Sequence, residues 1–491
     1  MEWVIDGYFR YLGIDFCHDL HEMVQYNYIE KIEQIKAQMS LWLKRSLTVL
    51  GRITVVKSLL VSKLNYLFLA LPNPTDEIMK KIDRSFHNFI WEGKPDKISR
   101  TQMSQPYHLG GAKMMNVYLH AQSLKMSWMR RIFNGSIDSY IYLFMNLFLP
   151  ANCQFNVCFG DEHYRQMAEV TTNPFWKDVF LIYSKLQTKT IHNVACQPLW
   201  KNNFIQVNNA CLFYKSWYKK GLIVINDLLE NDGTFLSFNS FMIKYNVKAN
   251  FLQYFGICEA IKYGYNMKNN IDKMEQPLRP DAIALICKFS KGCSHIYSLF
   301  QTCLVNKKEC KSLQKWKLHF DIDEKSWQSY CSITFNSTID VDLRWFQYRI
   351  LNRILFMNDL QFKLNLVEED LCSFCYKHTE TLIHFFCDCP FSKNIWSELE
   401  KWILAKTGYG IAFTKNNIMF GFQGSNNKAM NCLSFIVKRT LYSNKLQNKV
   451  PCFPYFKSSI INYYRNEKYI AESKCQNDKF QKRWISLKNL F

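Results

Sequence analysis

Apolar residues recur at helical spacing through residues 27–92. In "GRITVVKSLLVSKLNYLFLAL", Ile53, Val56, Leu60, Leu64, Leu67 and Leu71 follow one another at three- and four-residue steps, the spacing that lines one face of an α-helix. Leu71-Pro72-Asn73-Pro74 ends the run, because proline lacks a backbone N–H and clashes with the preceding turn. Thr75 or Asp76 is placed to cap the next helix, "DEIMKKIDRSFHNFIWEGK", which is acidic in its first turn and has Gly93 at its end. A tight turn, "HLGGAKMMN", is predicted at 108–116, followed by an amphipathic helix, "HAQSLKMSWMRRIF", to about 133. Residues 17–135 therefore read as a compact helical domain.

The pattern on either side is less regular. Residues 1–16 alternate in part, as in "YFRYLGIDF", and predict one strand with no evident partner. Residues 136–340 show short periodic runs between polar turns such as "ENDGT" at 230–234, and read as mostly helical without an internal repeat. "RWFQYRILNRILFMNDLQFKLN", 344–365, predicts a single helix. A cysteine-rich stretch and the helix "SKNIWSELEKWILAKT" complete a segment at 341–410, and 411–491 ends in further helices. Only 17 Gly and 12 Pro occur in 491 residues, which disfavours sandwiches and barrels. The expected fold class is mainly α.

The chain carries a net charge of +21. A surface this basic favours polyanionic partners, nucleic acid first and an anionic membrane surface second. The N-terminus "MEWVIDGYFRYLGIDF" lacks the basic start and apolar core of a secretory signal. The most apolar windows, "SLLVSKLNYLFLALPNP" and "YIYLFMNLFLP", fall short of the roughly 20 apolar residues of a membrane span. The expectation is an intracellular protein, cytoplasmic or nuclear, with no membrane segment and with most of its 18 cysteines as free thiols.

The stretch "LCSFCYKHTETLIHFFCDCP" carries the most specific chemistry. Cys372, Cys375, His384 and Cys389 have the spacing C-x2-C-x8-H-x4-C. A two-residue gap lets a tight turn point both thiolates at one ion, and a histidine and cysteine on a short helical turn can reach it from the other side. Three sulfurs and one imidazole suit a closed, tetrahedral, structural zinc. Such a site would also give a short segment folding free energy that it cannot draw from a core of its own. Cys387 and His378 lie close enough to substitute, and buried thiols beside a core histidine remain the plain alternative. No phosphate-binding glycine loop, nucleophile elbow or grouped Ser/His/Asp set is present. Asp321 and Asp323, and Asp340 and Asp342, are carboxylate pairs, expected to be surface acids.

The order of motifs resembles the C-terminal half of the reverse transcriptase polyprotein of LINE-type, non-LTR retrotransposons. "YLGIDF" resembles the strand that follows the polymerase palm. "LTVLGRITVVKSLLVSKLNYLFLALPNP" and "FHNFIWEGKPDKI" are similar to the thumb region. "LGGAKMMN" with "LKMSWMRRI", then "NPFWKDVF", "QPLWKNNFI" and "GLIVINDLLENDGTFLSF", continue the likeness. "CSFCYKHTETLIHFFCDCPFSKNIW" resembles the family's zinc knuckle, and "FGF" with "NEKYIAESKCQNDKFQKRW" completes it. Each motif is loose; their order over essentially the whole chain is specific.

The resemblance implies a palm-remnant strand at 1–16, a thumb-like bundle at 17–135, a wrist-like linker at 136–340, a zinc knuckle with flanking helices at 341–410 and a C-terminal helical segment at 411–491. It also implies RNA binding by the knuckle and its neighbours. The family's polymerase works through palm carboxylates that include an Asp-Asp pair, and no such pair occurs in this sequence. The expected function is thus a non-catalytic fragment that binds RNA or an RNA–DNA hybrid. A subunit that completes a full-length reverse transcriptase supplied in trans, and a degenerate truncated element without a selected function, are the alternatives. A thumb follows a duplex through cations on exposed helix faces; Lys44, Arg45, Arg52, Lys57, Lys63, Lys80, Lys81 and Arg84 are the candidates, with Arg52 and Lys63 sharing a face. The aromatics of "RWFQYR" and "KSWYKK" are candidates for base stacking, and more often such residues form core.

Overall fold

The computed structural model describes residues 9–134, 140, 145–149, 158–189, 193–267, 271, 281–289, 291–303 and 310–491. Part of the expected strand at 1–16, and part of the apolar window at 140–150, lie outside them. Two antiparallel two-stranded hairpins are the only sheets among the described residues, and helix dominates the rest, so the fold is mainly α. The first hairpin is β1 (Phe9–Tyr11) with β2 (Ile14–Phe16), and the second is β3 (Gln206–Val207) with β4 (Ala210–Cys211). The N-terminal helices are α1 (Leu20–Leu43), α2 (Val49–Val55), α3 (Ser62–Ala70), α4 (Asp76–Trp91), α5 (Arg100–Ser104) and α6 (Val117–Asn134). Through the middle run α7 (Asp161–Val170), α8 (Pro174–Lys189), α9 (Lys215–Tyr218), α10 (Phe238–Tyr245), α11 (Phe251–Gly264), α12 (Asp281–Cys287) and α13 (Ser294–Cys303). The C-terminal part holds α14 (Lys311–Lys317), α15 (Glu324–Asn336), α16 (Val341–Leu351), α17 (Asn358–Lys363), α18 (Pro390–Thr407), α19 (Lys415–Phe420), α20 (Lys428–Leu446), α21 (Phe453–Ser473) and α22 (Asn477–Trp484).

Three expectations are corrected at the level of elements. Residues 9–16 of "YFRYLGIDF" form not one strand but a hairpin, in which Phe9 pairs with Phe16 and Tyr11 with Ile14. Leu12 and Gly13 both take positive φ, 49° and 80°, as a tight two-residue turn requires. The run from Val49 to Ala70 is not one helix. A π-turn at Val56–Leu60 interrupts it, and the two halves are bent by 43°. The predicted helix at 344–365 breaks after Leu351, where Arg353 takes a left-handed φ of 55°. No single helix among the described residues is long and apolar enough to cross a membrane, and every described cysteine is free of a disulfide.

The chain forms two compact units, each from several segments. Residues 17–135, read from the sequence as one domain, contribute to both. The first unit comprises residues 1–38, 59–85 and 116–307. One of its cores gathers Met126, Met129, Trp176, Phe180 and Tyr183 from α6 and α8, and another forms around Trp200, Trp217, Phe241 and Ile257. The Leu71–Pro74 stop is fixed by side chains from two helices. The Lys125 ammonium donates to the Leu71 carbonyl, Trp128 donates to that of Leu69 at 2.9 Å, and the Asn73 N–H donates to Asp178 at 2.7 Å. In the hairpin, Asn27 of α1 accepts from the Asp15 N–H at 2.9 Å and donates to its carbonyl at 2.8 Å.

The second unit comprises residues 39–58, 86–115 and 308–491. Its core joins Trp316, Trp327, Phe346, Phe385, Phe386, Trp396, Phe420, Phe435 and Trp484. α20 runs through it and is buried on all sides from Ala429 to Lys438, the signature of a central helix. Lys438 is fully buried there. Its ammonium donates to Gln347 Oε1 and to the Ile418 carbonyl, each at 2.6 Å, and so closes the carbonyl end of α19. Burial pushes this lysine down to about 7. The "LGGAK" segment is structural: a Cβ on Gly111 would lie 1.9 Å from the Gln105 carbonyl oxygen, so only glycine fits that close approach.

Candidate metal centre

Two turns present the predicted ligands. In the first, Leu371 and Thr379 form an isolated antiparallel bridge. The Cys372 N–H donates to the His378 carbonyl at 2.8 Å, and the Tyr376 N–H donates to that of Cys372 at 2.9 Å. Tyr376 takes φ 53°, which reverses the chain and turns Cys372 and Cys375 to the same side.

The second turn is a π-turn at His384–Asp388, closed by the Cys389 N–H donating to the His384 carbonyl at 2.7 Å. Its width matters. Five residues of α-helix would leave two side chains about 140° apart around the axis, whereas the i→i+5 turn brings His384 and Cys389 together. Cys389 is also the N-cap of α18, with Pro390 in the first turn, and the backbone of Ser392 and Phe391 helps to hold its thiol down.

The donor atoms of Cys372, Cys375, His384 and Cys389 all lie within 4.8 Å of one another. Cys372 Sγ is 3.8 Å from Cys389 Sγ, and Cys375 Sγ is 3.3 Å from His384 Nε2. Cys372 and Cys389 are fully buried, while Cys375 and His384 are half-buried. The hydrogen bond between the two buried sulfurs pushes the Cys372 thiol up, with burial adding to it, and holds Cys389 down. Burial, and then the neighbouring His378, hold His384 below its usual value. Three sulfurs and one nitrogen facing a common centre can hold a metal ion.

The two alternative ligands stand outside this group. Cys387 is buried and turned toward the Lys415 carbonyl, 3.9 Å from its sulfur, and burial pushes its thiol up to about 12. His378 is exposed, its ring centroid 5.3 Å from that of His384. Phe385 and Phe386 pack into the core.

A second layer that sequence reasoning missed ties the first turn to the core. Glu380 is fully buried. One of its oxygens accepts from the Ser373 N–H at 2.7 Å and the other from the Asn358 N–H at 3.1 Å. The same Oε1 pairs with Lys445 of α20, which also donates to Asn358 Oδ1 at 2.6 Å. The Asn358 amide reaches the Leu371 carbonyl at 2.7 Å. Ser373, one of the two residues between the cysteines, is thus held by a buried carboxylate. Nothing in the local pattern marks Glu380 or Lys445, since they meet across 65 positions.

The eight candidate nucleic-acid contacts have different fates. Lys44 and Arg45 are exposed after α1, and Arg45 lies over the Trp42 ring at 5.2 Å. Lys63, Lys80, Lys81 and Arg84 are exposed on α3 and α4. Lys57 is half-buried, and burial followed by Lys113 lowers its pKa. Arg52 is buried: it pairs with Glu92 and donates to the Ile90 carbonyl at 3.1 Å. The expectation that Arg52 shares an exposed face with Lys63 is therefore corrected. The stacking candidates Trp217, Phe346 and Tyr348 are core residues.

The carboxylate pairs are helix caps at their second or first member. Asp323 accepts from the Ser326 N–H at 2.9 Å, and Asp340 from the Asp342 N–H at 2.7 Å. No protein-family model matches the chain.

Proposed function

We propose that the chain holds a structural zinc through Cys372, Cys375, His384 and Cys389, and that it is a reverse-transcriptase-related protein of the LINE type that binds RNA or an RNA–DNA hybrid without catalysing polymerisation. The four converging donors carry the reading. A tetrahedral ion with Zn–S bonds of about 2.3 Å spaces its sulfurs about 3.8 Å apart, which fits the 3.8 Å between Cys372 and Cys389. All four positions are supplied by the protein, so none is left for a reacting water. The net charge of +21 supports a polyanionic partner.

The test is RNA affinity of the zinc-loaded chain across a salt series. Binding whose logarithm falls with log salt, by about 0.7 per neutralised phosphate on a single strand, is expected. No binding at low salt would overturn the RNA reading and leave a degenerate element without a selected role. Primer extension by the pure chain would overturn its non-catalytic part. The exposed Phe9, Tyr11 and Leu12 of the first hairpin favour a second reading, in which this edge meets a full-length polymerase chain; recovery of that complex by sedimentation would support it.

A further inference from the structure

A cleft of about 480 Å³ opens in the second unit beside its last helices, lined by Lys428, Lys479, Lys482 and Arg483 together with Asn336 and Ser486. We infer that this cleft holds the backbone phosphates of single-stranded RNA. The inference rests on the RNA-binding reading above and assigns its contacts to residues other than the lysines of α3 and α4.

Four cations meet in one concavity, and no carboxylate is among the described residues that line it. Lys479, Lys482 and Arg483 stand at i, i+3 and i+4 on α22, and so share one face. Lys428 faces them from the first position of α20. That position is costly for a cation, because the N-terminal end of a helix is already positive. Lys428, Lys479 and Lys482 are exposed, and none of them forms an ion pair among the described residues. Only Arg483 has one: buried Glu467 holds its guanidinium and also accepts from Trp484 at 3.2 Å. The pair fixes the direction of the arginine and offsets one charge of the four. Uncompensated like charges destabilise a fold; a strand of phosphates relieves them.

The concave shape favours a single strand over the wide cylinder of a duplex. No aromatic ring is among the described residues that line the cleft, so they supply no stacking platform that reads bases. Recognition there is of phosphate charge, with the Asn336 amide and Ser486 hydroxyl as hydrogen-bonding neighbours, and is indifferent to base identity.

The experiment uses the full, zinc-loaded chain and a fluorescent oligouridylate. A Lys428→Ala/Lys479→Ala/Lys482→Ala variant is compared with a matched control, Lys44→Ala/Lys63→Ala/Lys80→Ala. The cleft variant is expected to bind at least about tenfold more weakly, with a salt slope smaller by about 2, as three lost phosphate contacts predict. The control should change less in both. A cleft variant equal to wild type, or no weaker than the control, would overturn the inference while leaving the RNA reading standing. A wild type that binds no oligouridylate overturns both. Equal melting temperatures and zinc contents check the fold. If the variant does not fold, photocrosslinking of the wild type to a photoreactive uridine strand decides: crosslinks within 428–486 support the cleft, and crosslinks confined elsewhere overturn it. Lysine-dependent retention on anionic vesicles without RNA binding would also overturn it.

Discussion

Lys445 of α20 is buried against Glu380, and through that carboxylate it holds the backbone between Cys372 and Cys375. Both partners are almost wholly shielded from water, with side chains 6% and 0% exposed. Removing one leaves the other charged and unpaired. Lys445→Met is expected to destabilise the second unit by roughly 3–5 kcal/mol, read by urea denaturation. Adding Glu380→Gln should recover part of the loss. Strict additivity of the two changes would show that they do not act as a pair.

Metal content separates the four ligands from their neighbours. Cys375→Ser should abolish zinc binding and increase hydrogen exchange through residues 370–405. Cys387→Ser and His378→Ala should each retain one zinc per chain by mass spectrometry under native conditions. Full zinc retention in Cys375→Ser would refute the ligand set.

Lys438 sets part of the pH dependence of stability. Its folded-state pKa is lowered to about 7 by burial, below the value near 10.4 of an unfolded lysine. Between those values the unfolded chain binds more protons, so this group makes stability rise with pH. Below about 7 the full burial penalty is present. The groups around the ammonium are Gln347 and the α19 carbonyls, with the Cys387 thiol, kept protonated by its own burial, as a titratable neighbour. The stability difference between wild type and Lys438→Met should therefore shift in favour of wild type as pH rises through that window. A difference that does not change with pH would count against a titrating Lys438.

Arg52 is a stability residue in this structure. Arg52→Ala should cost roughly 1–3 kcal/mol, because it strips a buried carbonyl and Glu92 of a charged donor. The salt slope of RNA binding should stay at its wild-type value. A smaller slope with unchanged melting would instead make Arg52 a phosphate contact.

The parts of this fold that were legible in the sequence are those encoded locally. Leu60, Leu64, Leu67 and Leu71 marked a helix face, Pro72 its stop, and the spacing of Cys372, Cys375, His384 and Cys389 the cluster. Positions fixed by distant partners were not legible. Arg52 sits at a helical step that looks exposed, and only Ile90 and Glu92 make it interior. The break after Leu351 carries no proline or glycine, so the run to 365 kept its period through Arg353, whose left-handed backbone an arginine rarely adopts. The cleft cations 428 and 479–483 lie far apart along the chain, and the fold alone makes them neighbours.

The double position of Cys389 links two events. It is one of the four converging donors and also the residue at which α18 begins. Starting a helix is its unfavourable step, since several residues must be fixed before the first hydrogen bonds form. An ion that fixes Cys389 against Cys372 supplies that start, and Trp396, Leu399 and Ile403 then follow onto the core. Metal loading and the growth of this helix would be one cooperative transition, with the ion as its template.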